Sequence, residues 1–339
     1  MTSPLFKFGL ISDIQWADIP DGKSFHGTPR YYREALFSAR RAVAAFKAEK
    51  VDLAIHLGDI IDFHNSHHGL SEMALEAAIE CFDTLERPTI HCIGNHCLYN
   101  HTRDVLNSRL GIDAHKEKIS LAGEHSYFTF TPPVIPSPGY KFIVLDGYDV
   151  SFLGWPPGNP LHEKAVEILN THNPNEEKNS NNGLEGLEKR FVKFGGGCSD
   201  AQLDWLRLEL QKCRETQHKA FICCHLCLHP KTCAPTCLLW NFDQVQGILS
   251  EYSDVVVATL AGHAHRDGYY YDPATGIHNR VCAGVLEAEP GSDCFGIVEV
   301  YCDRIEVKGR DSFGSGVWEV NSGNGNCEDT LRKKKELPF

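Results

Sequence analysis

Residues 51–62 read Val-Asp-Leu-Ala-Ile-His-Leu-Gly-Asp-Ile-Ile-Asp, and this stretch indicates the fold class. The mostly apolar run 51–57 has the length of one buried strand, and Gly58 ends it. Upstream, the apolar residues of 30–49 recur at intervals of three and four, which predicts a helix. Because short apolar runs alternate with amphipathic stretches along most of the chain, the sequence predicts an α/β fold.

The same patterns place further elements along the chain. They predict additional strands at 6–12, 89–93, 125–130, 141–145, 219–224, 254–260, 294–301 and 305–308. They predict helices at 71–85 and after Ser199, where Ser199 and Gln202 fit a capping box. The asparagine-rich stretch 170–183 predicts a loop. We expect one domain over 1–320 and a polar tail over 321–339.

Composition excludes several classes of protein. A net charge of −12 over 339 residues argues against a broad nucleic-acid or anionic-membrane surface. Fourteen cysteines are too few for a disulfide scaffold. The chain has no apolar run of membrane-spanning length, and it enters its first strand without a signal peptide. We therefore expect a cytoplasmic monomer with reduced thiols that binds a small molecule and neither nucleic acid nor a membrane.

Side chains that bind metals or transfer protons follow five of the predicted strands. They are Asp13, Gln15, Asp59, Asp62, Asn95, His96, His225, His263 and His265. In α/β sheets, ligands bind beyond the carboxyl ends of the strands. Any one of these residues alone is more often a turn or cap residue, but the ordered set predicts a site at one sheet edge.

The set resembles the calcineurin-like metallophosphoesterase superfamily, whose pattern is D-x-H, G-D-x-x-D, G-N-H-[DE], H and G-H-x-H. The resemblance covers residues 5 to about 310. It implies two facing mixed β-sheets flanked by helices, a four-layer sandwich with a two-metal centre at one edge.

The resemblance also implies a role for each residue. One metal would be held by Asp13, Gln15, Asp59 and His265. The other would be held by Asp59, Asn95, His225 and His263, so that Asp59 bridges the two. Two cations that share a water lower its pKa, and the resulting hydroxide attacks phosphorus. His96 would donate a proton or hydrogen bond to the leaving oxygen, and Asp62 would orient that histidine.

Two positions depart from the superfamily pattern. Position 15 is Gln where most members have His, and position 97 is Cys where Asp or Glu is common. The Gln15 variant is similar to a branch whose members hydrolyse ADP-ribose and CDP-alcohols with manganese. An amide oxygen favours Mn²⁺ or Mg²⁺, and zinc or iron is the alternative. The resemblance thus implies cleavage of the diphosphate linkage of ADP-ribose, CDP-choline or CDP-glycerol.

Three residues are candidates for substrate contacts. Arg103 lies seven residues beyond His96 and would bind the second phosphate as a bidentate donor. The aromatic-containing loops around Phe25 and Phe295 would provide stacking surfaces for the base.

Other interpretations stay open at this point. A cyclic-nucleotide or other phosphodiesterase would use the same metal ligands, and a non-catalytic scaffold would share the fold. His64, His67 and His68 would bind metal or remain solvated loop residues. The spacing of Cys224, Cys227, Cys233 and Cys237 weakly indicates a zinc knuckle, although packing of small apolar groups is the preferred interpretation.

Overall fold

The structure is a computed structural model that describes residues 3–115, 125–132 and 139–320. The α-helices are α1 (Tyr32–Ala48), α2 (His64–His68), α3 (Ser71–Asp83), α4 (Asn95–Asn100), α5 (Arg103–Arg109), α6 (Pro160–His172), α7 (Asp200–Glu215) and α8 (Phe242–Glu251). Short 3₁₀ helices span Ile112–Ala114, Gly186–Arg190, Pro235–Cys237 and Val285–Glu287. The proposed tail 321–339 lies outside the described residues, and the single-domain boundary at 320 stays a prediction.

The strands form two large sheets and one small hairpin. They are β1 (Phe6–Ile11), β2 (Gly22–Lys23), β3 (Pro29–Arg30), β4 (Leu53–His56), β5 (Thr89–His91), β6 (Phe128–Phe130), β7 (Tyr140–Val144), β8 (Lys219–Cys224), β9 (Val256–Ala261), β10 (Gly268–Asp272), β11 (Ile277–Val281), β12 (Gly296–Val300), β13 (Arg304–Gly309) and β14 (Gly316–Glu319).

Both large sheets are mixed. The first has the strand order β14-β13-β12-β1-β4-β5, in which β1, β4 and β5 are parallel and β12 joins β1 antiparallel. The second has the order β10-β11-β9-β8-β7-β6, in which β7, β8, β9 and β11 are parallel. The prediction of two mixed sheets flanked by helices is confirmed.

Aromatic side chains fill the space between the two sheets. Phe8 of β1 packs edge-on against Phe142 of β7 and Phe221 of β8, with ring centroids 5.4 and 5.5 Å apart. Phe6 contacts Tyr140 at 5.3 Å. Burying a phenylalanine ring contributes about 1.5–3 kcal/mol, so these contacts hold the two sheets face to face.

The helix that follows Ser199 begins as its sequence predicts, but only half of the capping box forms. Ser199 Oγ accepts a hydrogen bond from the Gln202 backbone N–H at 3.2 Å. The Gln202 side chain turns away from the cap, because its amide bonds both backbone groups of Asp146 and the carboxylate of Asp149. It ties α7 to the loop after β7.

Within the part of the chain that the structure describes, no helix combines the length and the apolar character needed to cross a bilayer.

Candidate metal centre

The candidate centre lies where parallel strands of both sheets end. At least one predicted ligand lies within four residues after the end of each of five strands. These strands are β1, β4 and β5 of the first sheet and β8 and β9 of the second. Neighbouring parallel strands present their carboxyl ends at one edge, so the side chains converge there. The residues in this position are Asp13, Gln15, Asp59, Asn95, His225, His263 and His265.

Asp59 lies at the middle of the group. Its Oδ2 is 3.2 Å from His225 Nε2 and accepts a hydrogen bond from Gln15 Nε2 at 3.2 Å. Its Oδ1 accepts from the backbone N–H of His96 at 2.8 Å. Burial alone would raise the pKa of Asp59, but His225, His96 and His263 lower it below its ordinary value. The carboxylate is therefore ionised and faces ligands from both sheets.

Asp13, Gln15 and His265 form one side of the centre. His265 Nε2 is 2.8 Å from Gln15 Nε2 and 3.4 Å from Asp13 Oδ1. Burial would lower the pKa of His265, but the carboxylates of Asp13 and Glu287 raise it to about 10. Gln15 Oε1 is buried and has no hydrogen-bond partner among the described residues. A buried amide oxygen without a partner suits a hard divalent cation.

His225 and His263 form the other side. Their facing ring nitrogens, Nε2 of His225 and Nδ1 of His263, are 3.2 Å apart. One ligand atom from each of Asp59, His225 and His263 lies within 4.8 Å of the others. Burial first, and then the neighbouring His225, lower the pKa of His263 to about 3, so its ring is neutral. A neutral imidazole beside a carboxylate is the donor set that divalent metals require.

The close packing of these ligands depends on a glycine. A Cβ at Gly94 would lie 2.0 Å from Asp59 Oδ1 and 2.7 Å from the Asp59 backbone nitrogen. Only glycine lets the turn after β5 approach Asp59, and this turn brings Asn95 and His96 into the centre.

A tyrosine that the sequence did not single out contacts Asn95. Tyr148 is fully buried, and its hydroxyl donates a hydrogen bond to Asn95 Oδ1 at 3.1 Å. Its ring also lies against His225, with centroids 6.1 Å apart. Tyr148 follows β7, and its position shortly after a predicted strand is the sequence feature that could have marked it as a site residue.

His96 and Asp62 lie together beside the ligands. His96 Nδ1 is 3.1 Å from Asp62 Oδ2 and 3.1 Å from the Phe63 backbone nitrogen. Asp62 is fully buried, and its other oxygen is 2.5 Å from His64 Nδ1. Because Nδ1 of His96 is occupied by the protein, Nε2 is the atom left for a substrate. Burial would raise the pKa of Asp62, but the adjacent rings of His96 and His64 lower it.

The prediction that Arg103 binds a phosphate is wrong. Arg103 is 2% exposed, and its guanidinium is hydrogen bonded to the Asp146 carboxylate and the Tyr148 carbonyl oxygen. It also donates to Ser126 Oγ at 3.3 Å and stacks over Trp155 at 4.3 Å. All of its faces are covered, and it fixes the loop that carries Tyr148.

The two predicted aromatic contacts have different outcomes. Phe295 is 1% exposed and packs against Phe46 in the core at 5.4 Å, so the prediction that it stacks on a base is wrong. It follows a loop in sequence, but its side chain enters the core ahead of β12. Phe25 is fully exposed in the turn between β2 and β3, and its role stays a prediction.

The cysteines that were candidates for a zinc knuckle do not form a metal-binding group within the described residues. Cys224 and Cys227 are buried, whereas Cys233 and Cys237 are half-buried. Among the described residues, Asp59, His225 and His263 bring three metal-ligating atoms within 4.8 Å of one another, and no cysteine belongs to such a group. Cys97 is buried in α4, where burial and then Asp59 raise the pKa of its thiol to about 12.

Comparison with known proteins identifies the family. Residues 6–267 match the model of the calcineurin-like phosphoesterase family. A relative from Oryza sativa subsp. japonica, named manganese-dependent ADP-ribose/CDP-alcohol diphosphatase, is 40% identical over 91% of this chain and 92% of its own length. A Homo sapiens relative of the same name is 38% identical over 90% of each chain.

A solved structure supports the same conclusion. The crystal structure of a dimetal phosphatase from Danio rerio superposes with a TM-score of 0.87 at 35% identity, covering 94% of this chain and 99% of that one. The motifs, the two sheets and these relatives agree, and the chain belongs to the calcineurin-like phosphoesterase family.

Proposed function

We propose that this protein is a metal-dependent hydrolase that cleaves the diphosphate linkage of ADP-ribose and of CDP-alcohols such as CDP-choline and CDP-glycerol. The products would be a nucleoside monophosphate and a phosphorylated ribose or alcohol. The observation that carries the proposal is a cluster of donors around Asp59 in a chain that aligns over nine-tenths of its length with relatives of that named activity.

Seven residues would hold the metals. Asp13, Gln15 and His265 would bind one cation, Asn95, His225 and His263 would bind the other, and Asp59 would contact both. The cation on the Gln15 side would receive oxygen donors from Asp13 and Gln15 besides Asp59, and this donor set would favour manganese or magnesium over zinc or iron. When bound, two divalent cations would activate a water for attack on phosphorus and offset the phosphate charge.

His96 would supply the proton that the leaving oxygen needs. Its Nδ1 is held between Asp62 and the Phe63 N–H, so Nε2 would present the proton. Asp62 is buried and ionised, and its carboxylate beside Nδ1 would fix the plane of the His96 ring. In a diphosphate the leaving oxygen belongs to the second phosphate, and protonation there lowers the cost of its departure.

Phe25 would provide the stacking surface for the base. Two backbone hydrogen bonds join the segment after this β2–β3 turn to the centre. The Tyr31 N–H donates to the Leu286 carbonyl oxygen, and the Leu286 N–H donates to the Asp13 carbonyl oxygen. Stacking on an aromatic ring tolerates adenine and cytosine alike.

The proposal is tested by a hydrolysis panel with added Mn²⁺. ADP-ribose, CDP-choline, cyclic AMP and a simple phosphomonoester would be compared by kcat/KM, with AMP or CMP measured as product. We expect the two diphosphates to be the best substrates. Good activity on cyclic nucleotides with none on the diphosphates would replace the proposal with a phosphodiesterase, and no turnover of any substrate would favour the scaffold interpretation. The monomeric state and the cytoplasmic location stay predictions.

A further inference from the structure

Cys227 lies between the two strand ends of the second sheet that carry candidate ligands. It follows His225 by two residues, and its Sγ donates a hydrogen bond to the Gly262 carbonyl oxygen at 3.5 Å. The Gly262 N–H in turn donates to the His225 carbonyl oxygen at 3.0 Å, and Gly262 directly precedes His263. The Cys227 thiol is therefore part of the contact between the segments of His225 and His263.

The loop that follows β8 brings a second thiol back to Cys227. Two backbone hydrogen bonds close this loop: the Cys227 N–H donates to the Cys237 carbonyl oxygen at 3.1 Å, and the Leu239 N–H donates to the Cys227 carbonyl oxygen at 3.0 Å. Between these ends, the Cys233 thiol is hydrogen bonded to the Cys227 thiol. The two sulfur atoms are thus in contact, as they must be before a disulfide bond can form.

The two thiols differ in their access to solvent. Cys227 is buried, whereas Cys233 is half-buried. Apart from Cys233 and Cys237, the free cysteines among the described residues are all buried. A small oxidant such as hydrogen peroxide therefore reaches Cys233 before it reaches Cys227. An accessible thiol beside a second thiol that can displace its oxidised form is the arrangement found in redox-sensitive cysteine pairs.

We propose that Cys233 and Cys227 are a reversible oxidation site, at which hydrogen peroxide converts the two thiols into a disulfide. The Cys233 sulfur attacks one peroxide oxygen, which forms a sulfenic acid and releases the other oxygen as water. The Cys227 sulfur then attacks the sulfenic sulfur, so that the S–S bond forms and the S–O bond breaks. The departing hydroxide takes the Cys227 proton and leaves as water. Peroxide has then accepted two electrons, and a dithiol reductant restores both thiols.

The disulfide would weaken the candidate metal centre. The Cys227 sulfur would have no proton for the Gly262 carbonyl oxygen, which would retain the Ala264 N–H at 2.7 Å as a donor. An S–S bond of about 2.05 Å is also much shorter than a thiol–thiol contact, so the Cys227 sulfur must move towards Cys233. We therefore expect the segments of His225 and His263 to shift relative to each other when the pair is oxidised.

Peptide mapping tests the site without reference to the proposed hydrolase activity. The full-length, metal-free protein would be treated with hydrogen peroxide, its remaining thiols alkylated, and the tryptic peptides analysed by mass spectrometry. We expect a disulfide that joins the peptide of Cys227 to that of Cys233 and that dithiothreitol removes, with fragmentation assigning the linked residues. Absence of this disulfide in the oxidised wild type would overturn the inference.

Cys237→Ser is the matched control for Cys233→Ser. Cys237 is also half-buried and lies in the same loop, but its thiol is 3.9 Å from Thr236 Oγ1. Cys237→Ser should keep the disulfide and Cys233→Ser should lose it, with both folds checked by circular dichroism. In Cys227→Ala, Cys233 has no thiol to displace its sulfenic acid, so dimedone should label Cys233 at least fivefold more than in wild type. Retention of the disulfide in Cys233→Ser, or its loss in Cys237→Ser, would assign a different pair and overturn the inference.

Calorimetry with Mn²⁺ measures the effect on the centre after the peroxide has been removed. We expect the oxidised wild type to bind Mn²⁺ at least threefold more weakly than the reduced protein and to recover after reduction and desalting. Cys233→Ser carried through the same treatment should stay within about twofold of its untreated affinity. Equal Mn²⁺ affinity of the mapped disulfide form and the reduced form would overturn the link between this site and the centre.

Discussion

At the scale of single residues, the centre is built on an uncommon backbone conformation. Asp13, Gln15, Asp59, His263 and His265 have φ angles between 44° and 65°. This left-handed region costs a non-glycine residue about 1–3 kcal/mol and is concentrated at functional sites. Packing of the surrounding structure must therefore stabilise these five candidate metal ligands in a conformation that is unfavourable by itself.

The first prediction at this scale concerns the central carboxylate. Asp59→Asn keeps the size of the side chain but removes the charge that both cations would share. We expect turnover to fall at least a hundredfold and the Mn²⁺ stoichiometry from calorimetry to fall below two per chain, with an unchanged circular dichroism spectrum. Two sites of wild-type affinity would contradict the bridging role.

The second prediction concerns the proton donor. His96→Ala should lower turnover by about 10²–10⁴ while Mn²⁺ binding is retained, because the ring lies against Asp62, Phe63 and Tyr99. The loss should be smaller for a nitrophenyl leaving group than for an alkyl group, since the former needs less protonation. The same loss on both would argue for electrostatic stabilisation alone.

The third prediction concerns Tyr148, which positions Asn95. Tyr148→Phe removes only the hydroxyl that donates to Asn95 Oδ1 and should weaken Mn²⁺ binding about 10–100-fold. Tyr140→Phe is the control, because Tyr140 is also buried but lies in β7 against Phe6 and Phe221. If the two variants bind Mn²⁺ equally well, Tyr148 has a packing role only.

At the scale of elements, the sequence predicts best where a segment is uniformly apolar. The strand 219–224 has the predicted bounds, because its side chains are almost all buried and apolar. Strand β11 was not predicted, since it buries His278, Asn279 and Arg280. Each of these has a partner distant in sequence, such as Thr259 for Asn279, and local pattern does not contain that information.

The site shows the same division between local and distant information. The sequence alone shows the order in which the ligands follow the strands, and this order predicted the correct family. Arg103 was misassigned because its partner Asp146 lies 43 residues away in the sequence, which a local pattern does not show. Motifs therefore indicate the ligands, whereas the groups around them depend on packing.

A prediction at this scale tests the turn after β9. A Cβ at Gly262 would lie 2.1 Å from Ser12 Oγ and 2.7 Å from Asp13 Oδ2. Gly262→Ala must displace the side chains of Ser12 and Asp13, so we expect at least a tenfold loss of Mn²⁺ affinity and a loss of about 1–3 kcal/mol in the free energy of unfolding. Urea titration and calorimetry would measure the two effects.

Gly247→Ala is the control for that change. Gly247 lies in α8, and a Cβ there would meet nothing within 4 Å. Alanine favours a helix over glycine by about 1 kcal/mol, so this variant should be slightly more stable than wild type. Equal losses in both variants would show that the turn tolerates a side chain.

At the scale of the whole molecule, the centre joins the two sheets. Asp13 follows β1 of the first sheet and accepts from the His263 N–H, 250 residues further along the chain and beyond β9 of the second. No single segment contains the site, so it exists only when both sheets are packed. Changes that loosen the contact between the two sheets should therefore also weaken metal binding.

Two buried histidines predict how that stability depends on pH. His56 of β4 and His91 of β5 face each other with Nδ1 atoms 3.4 Å apart, and Nε2 of His56 has no hydrogen-bond partner among the described residues. Burial lowers the pKa of His91 to about 4 and that of His56 well below its usual range. The unfolded chain, with histidine pKa values near 6.5, binds these protons more readily, so acid favours unfolding.

The neutral rings of His56 and His91 contribute fully to the free energy of unfolding above about pH 6.5. This contribution is lost as the pH falls towards 4. For His91 alone the loss over that range amounts to about 3 kcal/mol. Urea unfolding of the metal-free protein at pH 7.5 and pH 5 should show a smaller difference in His91→Gln than in wild type, because glutamine does not titrate. His172→Gln, at an exposed position with 39% of the side chain accessible, should retain the wild-type difference. An unchanged difference in His91→Gln would mean that acid sensitivity arises elsewhere, in the carboxylates and histidines of the metal centre.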